Sequence, residues 1–287
     1  MLKTMLTKED IFELADYAAA KNRQPDSFVG YLGTEAPDIA EDLADLSKDK
    51  DSACFIHRED SSKITGFLGV DADTERGVGE LWGPFADPRS WDDSAAYLLS
   101  LAEEYFGNRL NQWHLFIGRK NERCKSLAEK KGFKLASSQM FMELTLENPV
   151  GGEAPSLLTK EFFADFTHLH DSLFPATYYS GSEMLEKFDE EHLIFAITKD
   201  NELSGYLYAE LDSEEKAASI EFMGVSPNER RKGTGARLLL MAAKKLRESG
   251  IERIKLCVDS ANENAISLYR KMDFKETNTL LFYKRLC

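Results

Sequence analysis

Apolar and polar positions along this chain follow two rhythms, and the rhythms recur in the same order twice. A period near 3.6 marks a helix, whereas a period of two or a short apolar run marks a strand. Thr4 to Lys21 has the helical period, with Thr7 and Asp10 spaced as a capping box ahead of Ile11, Leu14, Ala15 and Ala18. A loop over 22–33 leads to an acidic helix over 36–47. Strands are predicted at 53–57, 64–70 and 79–84, then a helix at 94–106, a strand at 113–117, a helix at 121–131 and a strand at 140–146. Glu147 to Pro155, rich in Gly and Pro, reads as a linker. Beyond it come a helix at 159–173, a loop at 174–181 and a short helix at 182–188. Strands at 193–198, 203–210 and 219–225 follow, then a helix from Arg237 that fades at Gly250, a plausible cap. A strand at 254–258, a helix at 262–274 and strands at 274–277 and 280–286 close the sheet.

The repetition keeps a constant register. Asn121 and Asn262, Leu127 and Leu268, and Phe133 and Phe274 are each 141 positions apart. The same offset pairs Glu80 with Glu221, Gly83 with Gly224, Arg89 with Arg230 and Ala95 with Ala236, without a gap. Such a register predicts two tandem copies of one α/β (α+β) fold, divided into residues 1–148 and 149–287. The copies differ at one place. Gly233 and Gly235 correspond to Asp92 and Ser94, Lys232 to Trp91, and Tyr269 to Ala128.

Composition narrows the class. A hydrophobic fraction of 43% and a charged fraction of 30% suit a soluble globular protein, and 287 residues suffice for two domains. The net charge of −14 argues against nucleic-acid binding and weakly favours a cationic acceptor such as an amine. Cys54, Cys124, Cys257 and Cys287 are scattered, with no metal-type spacing, so no metal is expected and the thiols read as reduced. Neither a signal peptide nor an apolar run of membrane-spanning length is present, which points to a cytoplasmic protein without a membrane partner, monomeric or homodimeric.

The chemistry centres on Val225-Ser226-Pro227-Asn228-Glu229-Arg230-Arg231-Lys232-Gly233-Thr234-Gly235-Ala236, a basic turn between a strand and a helix. A helix start leaves its first N–H groups unpaired at the positive end of the dipole, and glycines let the backbone approach a ligand. The stretch therefore suits a phosphate or pyrophosphate. It is neither G-x-G-x-x-G nor G-K-[ST], and a plain basic helix cap is the alternative.

Together with Asn262-Glu263-Asn264-Ala265-Ile266-Ser267-Leu268-Tyr269-Arg270-Lys271-Met272-Asp273-Phe274, the turn resembles the two central motifs of the GNAT superfamily of N-acetyltransferases. Those are the V-x-P-x-x-[RQ]-x-x-G-x-[GA] loop and the N-x-x-A-x-x-L-Y-x-x-x-G-F helix; Asp273 stands where the family has Gly. The resemblance implies two GNAT folds, each a mixed, mostly antiparallel sheet flanked by helices, the first degenerate and the second catalytic. It implies acetyl-CoA as donor and a small-molecule or peptide amine as acceptor. Arg230, Arg231, Lys232, Gly233, Thr234, Gly235 and Ala236 would then hold the diphosphate, and Met223 and Val225 the pantetheine arm. Asn262 would touch the pantetheine or merely cap its helix.

Tyr269 matches the family's general acid, with a core aromatic as the alternative. Glu221 is the candidate base, although Glu80 in the other copy leaves a structural role open. Tyr178 and Tyr179, in a segment like F-P-x-x-Y-Y, would line the acceptor site or simply pack a turn. A non-catalytic coenzyme A sensor or partner-binding module is the competing function. Longer acyl donors, protein N-termini and the thiol-bearing pseudodisaccharide of mycothiol-synthase-type tandem enzymes are further possibilities.

Overall fold

The computed structural model describes residues 2–3, 6–59, 63–146, 154, 156–175 and 177–286. Thr4, Ala176, Cys287, and the linker residues 147–153 and 155, with the expected 148/149 division, lie outside them. The first half runs β1 (Leu2–Lys3), α1 (Lys8–Asn22), α2 (Ala36–Leu46), β2 (Ala53–Glu59), β3 (Lys63–Asp73), β4 (Val78–Ala86), α3 (Trp91–Phe106), β5 (Gln112–Gly118), α4 (Glu122–Lys130) and β6 (Lys134–Thr145). The second runs α5 (Phe163–Leu173), α6 (Gly181–Lys187), β7 (His192–Lys199), β8 (Glu202–Asp212), β9 (Ala217–Val225), α7 (Thr234–Glu248), β10 (Arg253–Asp259), α8 (Glu263–Lys271) and β11 (Lys275–Leu286).

Local signals explain the ends. Thr7 and Asp10 form the expected capping box of α1, the Asp10 amide donating to Thr7 Oγ1 over 3.2 Å. Past the end of α7, Gly250 takes φ +88°, where only glycine is unstrained. Asp273 takes φ +65° after α8, so it makes the turn for which the family motif uses glycine.

Two compact units form: Met1–Gln139 with Asn278–Cys287, and Met140–Thr277. The division at 148/149 separates sequence repeats; the compact units are drawn from a different set of residues, because each half supplies a strand-forming segment to the other half's unit. The segments expected at 274–277 and 280–286 are one strand, β11, since Asn278 and Thr279 stay extended. In the first unit β2, β3 and β4 form an antiparallel meander, β5 runs parallel to the start of β4, and β11 pairs antiparallel to β5 from Leu280↔Gly118 to Leu286↔Gln112.

The second unit repeats the plan. β7, β8 and β9 form a meander, and α7 crosses over to β10, parallel to β9. Residues from Met140 in β6 complete its sheet and place Met140 and Met142 in its core. Alternation along β8 sorts the side chains. Leu207 and Ala209 join Leu238, Leu239 and Tyr269 under α7 and α8, whereas Tyr206 and Tyr208 join Phe162, Phe166 and Met184 under α5 and α6. Both faces are thus covered, and so the strands carry long buried runs.

Candidate active site

The site opens where two parallel strands part. β9 and β10 are paired from Ala217↔Arg253 to Ile220↔Leu256 and no further, although β9 continues to Val225 and β10 to Asp259. A bulge in β9 begins at the same point: Tyr208 faces Phe222 and Ala209 faces Ile220, which leaves Glu221 as the extra residue. A bulge redirects a side chain and ends regular pairing. Beyond it the Ser226 amide donates to Ser204 O on β8 over 3.0 Å. Strand alternation then turns the N–H and C=O groups of Met223 and Val225 to the edge facing β10.

The fork runs into the basic turn. Gly233 takes φ +88° at the start of α7, with open space where a Cβ would be. Gly235 is a close approach: a Cβ there would lie 3.0 Å from Leu268 Cδ2 and 3.8 Å from Met223 Cε. The cationic side chains are tied to neighbours. Arg230 Nε donates to Val225 O (3.2 Å), Arg231 Nη2 to Asn264 Oδ1 (3.4 Å) and Lys232 Nζ to Glu229 Oε1 (3.1 Å). The Lys232 bond, with Lys199 beyond it, holds the Glu229 carboxyl below its usual range. The first amides of α7, on Thr234, Gly235 and Ala236, precede its first intrahelical donor, Arg237, which donates to Gly233 O (3.0 Å). The turn thus presents main-chain amides at a helix mouth, within a rim of partly neutralised cations. Thr234 is buried and its hydroxyl closes the turn onto Glu229 O (3.2 Å).

Two titratable side chains lie on the elements beside the fork. Tyr269 on α8 is 7% exposed, and burial pushes its phenol up to about 12. Its hydroxyl makes no hydrogen bond to a described residue, yet it is not among buried polar atoms lacking a partner, so the ring is packed while the oxygen is not fully enclosed. Glu221 Oε2 accepts from the Tyr178 hydroxyl over 2.5 Å. Burial and then the Glu221 carboxylate push the Tyr178 phenol well above its ordinary range. Tyr179 turns elsewhere: its hydroxyl accepts from Lys187 Nζ over 2.7 Å and its ring packs on Tyr178 with centroids 4.9 Å apart. Asn262 caps α8, accepting from the Ala265 amide over 3.2 Å.

Cys257, which sequence reasoning did not single out, sits on β10 near Glu221. Burial, then the Glu221 and Asp259 charges, push its thiol up to about 11. Its place after the last paired residue of β10 was not readable without the register. Glu229 was likewise missed, because its partners Lys199 and Lys232 meet only in the fold.

Residues 156–274 match the sequence profile of the acetyltransferase (GNAT) family. The matched residues fall within the second compact unit. One similar curated protein is a mycothiol acetyltransferase of Paenarthrobacter aurescens (strain TC1), 28% identical over 100 residues, or 33% of this chain and 31% of that one. Another, of Clavibacter sepedonicus, is 30% identical over 98 residues, 34% of this chain and 32% of the relative. The chain spans about a third of the length of these curated relatives. Among solved structures, a GCN5-related N-acetyltransferase from Sphaerobacter thermophilus aligns over 100% of this chain and 95% of that one, with TM-score 0.70 and 15% identity. A tandem GNAT protein from the clavulanic acid biosynthesis pathway aligns over 100% and 98%, with TM-score 0.58 and 13% identity. Both share the fold.

The first GNAT-like unit has the same fork but not the same contents. β4 and β5 are paired only to Glu80↔His114. Beyond that, Val29 bridges Ile117, the Gly30 amide donates to Phe116 O (2.6 Å) and the Gly118 amide to Phe28 O (2.9 Å). The Arg119 amide donates to Thr279 O on β11, so Phe116 and Gly118 present their groups to the opposite edge, toward β4. The chain's own backbone therefore occupies this fork. Asn22, 1% exposed, holds the insert through Val29 O, Leu32 O and Gly33 O. Glu80 also differs from Glu221: it pairs regularly with Asp71 and lies 3.9 Å from His114, because the bulge in β4 falls later, at Gly83 and Pro84.

Proposed function

We propose that this protein is an acetyl-CoA-dependent N-acetyltransferase whose second unit carries the reaction and whose first unit takes no coenzyme. The observation that carries this reading is the open β9–β10 fork ending at the start of α7. The residues fit a diphosphate: the first amides of α7 precede its first intrahelical bond, and Gly233 has open space where a Cβ would stand. The coenzyme would supply an activated acetyl group as its thioester. Amides from Arg230 to Ala236 would hold the diphosphate, with Met223 and Val225 main-chain groups facing the pantetheine arm.

In the transfer a C–N bond forms and the C–S bond breaks. Glu221 takes the proton released by the amine, and the Tyr269 hydroxyl, protonated throughout the neutral range, gives one to the leaving sulfur. An acceptor amine reaches Glu221 by replacing the Tyr178 hydroxyl. The relatives' name, mycothiol acetyltransferase, adds a mycothiol-related amine to the acceptors worth testing.

Calorimetry with acetyl-CoA should give one site per chain. Mass spectrometry should detect acetylation of at least one of glucosamine, an aminoacyl amino sugar, spermidine or a peptide with a free N-terminus. Coenzyme binding without turnover would favour the sensor alternative; two sites per chain would refute the division of roles. Glu221→Gln should lower kcat by roughly a hundredfold.

A further inference from the structure

We propose that His170, a residue without contact to either substrate, positions the acceptor site by clamping the loop that carries Tyr178; the kinetic part of this inference rests on the acetyltransferase reading. His170 lies on α5 and is fully buried. Its ring is packed among Phe166, Phe174, Tyr206 and Phe222, with centroids 4.9 to 6.2 Å away. Nε2 lies 2.9 Å from Tyr179 O, and Nδ1 lies 2.6 Å from the Tyr206 hydroxyl.

The polarity of this relay is fixed by chemistry. A carbonyl oxygen only accepts, so Nε2 carries the proton; Nδ1 of the neutral ring then accepts from the Tyr206 hydroxyl. Burial lowers the His170 pKa, against small opposing effects of the Tyr179 carbonyl and Asp171, and burial raises that of Tyr206. Both groups therefore stay neutral in their assigned states. A second hold lies next door. Asp171 Oδ1 accepts from the Gly181 amide over 2.8 Å, and Gly181 approaches Thr167 so closely that a Cβ would meet its Cα at 2.6 Å.

Two adjacent residues of α5 thus grip the chain at Tyr179 and Gly181, and the residue just before this grip is Tyr178. Tyr178 is 62% exposed, yet its hydroxyl is on Glu221. Its ring rests against Phe222 and Tyr179, and the His170 bond to the next carbonyl holds the backbone that carries it. The Tyr206 hydroxyl selects the tautomer that makes the bond possible. In the first unit a buried polar side chain, Asn22, likewise anchors the loop after the first helix.

The test uses the full chain with His170→Phe, His170→Gln and Tyr206→Phe. His170→Phe keeps the ring volume but loses the donor; His170→Gln keeps a donor near the Nε2 position. Hydrogen–deuterium exchange should show amides of Thr177–Ser180 exchanging at least tenfold faster in His170→Phe, with His170→Gln within about threefold of the parent. Tyr206→Phe should move the same way by a smaller factor. On any amine the parent acetylates, His170→Phe should raise the acceptor KM roughly tenfold while the coenzyme Kd stays unchanged. Unchanged loop exchange would overturn the proposal. So would exchange accelerated throughout the second unit with coenzyme affinity falling in step, or equal behaviour of the Gln and Phe variants. If no amine is acetylated, the functional reading fails while the exchange result still decides the clamp.

Discussion

Gly233 offers the sharpest test of the amide mouth, because strain and charge separate there. Its φ of +88° costs any other residue about 1–2 kcal/mol, and a Cβ meets nothing within 4 Å, so Gly233→Ala carries backbone strain alone. That predicts a loss of roughly tenfold in acetyl-CoA affinity where the strain is relieved by moving the amides. Gly233→Asp imposes the same strain and repeats what the first copy has, Asp92 in the first turn of α3. A carboxylate about 6 Å from a diphosphate bearing about two charges, at an effective dielectric of about 40–80, costs a further ~1.4–2.8 kcal/mol. The Asp variant should thus bind roughly ten- to a hundredfold more weakly than the Ala variant. An acid suits a helix start, so the melting temperature of Asp should not fall below that of Ala. Calorimetry of both variants at about 0.1 and 1 M salt is the assay, since a Debye length of about 10 Å shrinks to about 3 Å. The Asp-to-Ala ratio should shrink toward one at high salt. Equal affinities of the two variants at low salt, or a gap that ignores salt, would refute the amide mouth as the diphosphate site.

Three other outcomes follow from the same geometry. Tyr269→Phe removes a hydroxyl with no partner among the described residues, so stability should change by less than about 0.5 kcal/mol while kcat falls roughly ten- to a hundredfold at unchanged coenzyme Kd; unaltered kcat would end the acid role. Burial raises Tyr269 from 10.0, and Cys54 and Cys124 from 9.0, to about 12, so their contribution to stability is complete below the ordinary values and is lost as pH climbs from about 9 to 12. The urea midpoint should therefore drop between pH 7.5 and 10.5, and an unchanged midpoint would contradict these burials. Deleting residues 278–287 strips Leu281 and Tyr283 from the first unit's core, about 3–6 kcal/mol against a typical 5–15 for a domain; differential scanning calorimetry should show that unit's transition lowered or lost.

Much of the fold was legible because the pattern of buried residues repeats. Thr7 with Asp10, Gly250 and the α7 stripe of Leu238, Leu239 and Ala242 are local signals, and the structure places each as the pattern predicts. Of the site, Gly233 and Gly235 were readable as glycines that a turn requires, though for different reasons: one for its dihedral, the other for its distance to Leu268. The cationic residues were readable as a cluster, but their ties to Val225, Asn264 and Glu229 were not, since those depend on how the turn folds back. Glu221 could not be told from Glu80 in sequence. The difference is a bulge, which is a property of register between strands rather than of either strand alone. The insert at Phe28–Gly30 gave no sequence signal, because backbone groups make its hydrogen bonds and backbone groups are common to every residue.

The two copies keep one plan for packing while the backbone groups of their forks find different partners. A parted pair of parallel strands leaves a row of backbone donors and acceptors that must find partners. In the first unit the loop after α1 supplies them, and Asn22 fixes that loop, so the fork is satisfied from within and has no need of a ligand. In the second unit the loop after α5 is held by His170 and Asp171 and makes, among the described residues, no such bridge to β10; its Tyr178 meets Glu221 instead. The first half is nonetheless required by the second. Met140, Met142 and Leu146, encoded before the linker, lie in the core that Tyr269 shares. The segment 140–146 can therefore not be removed without cost to the second unit, because it is part of the core in which the candidate acid is packed.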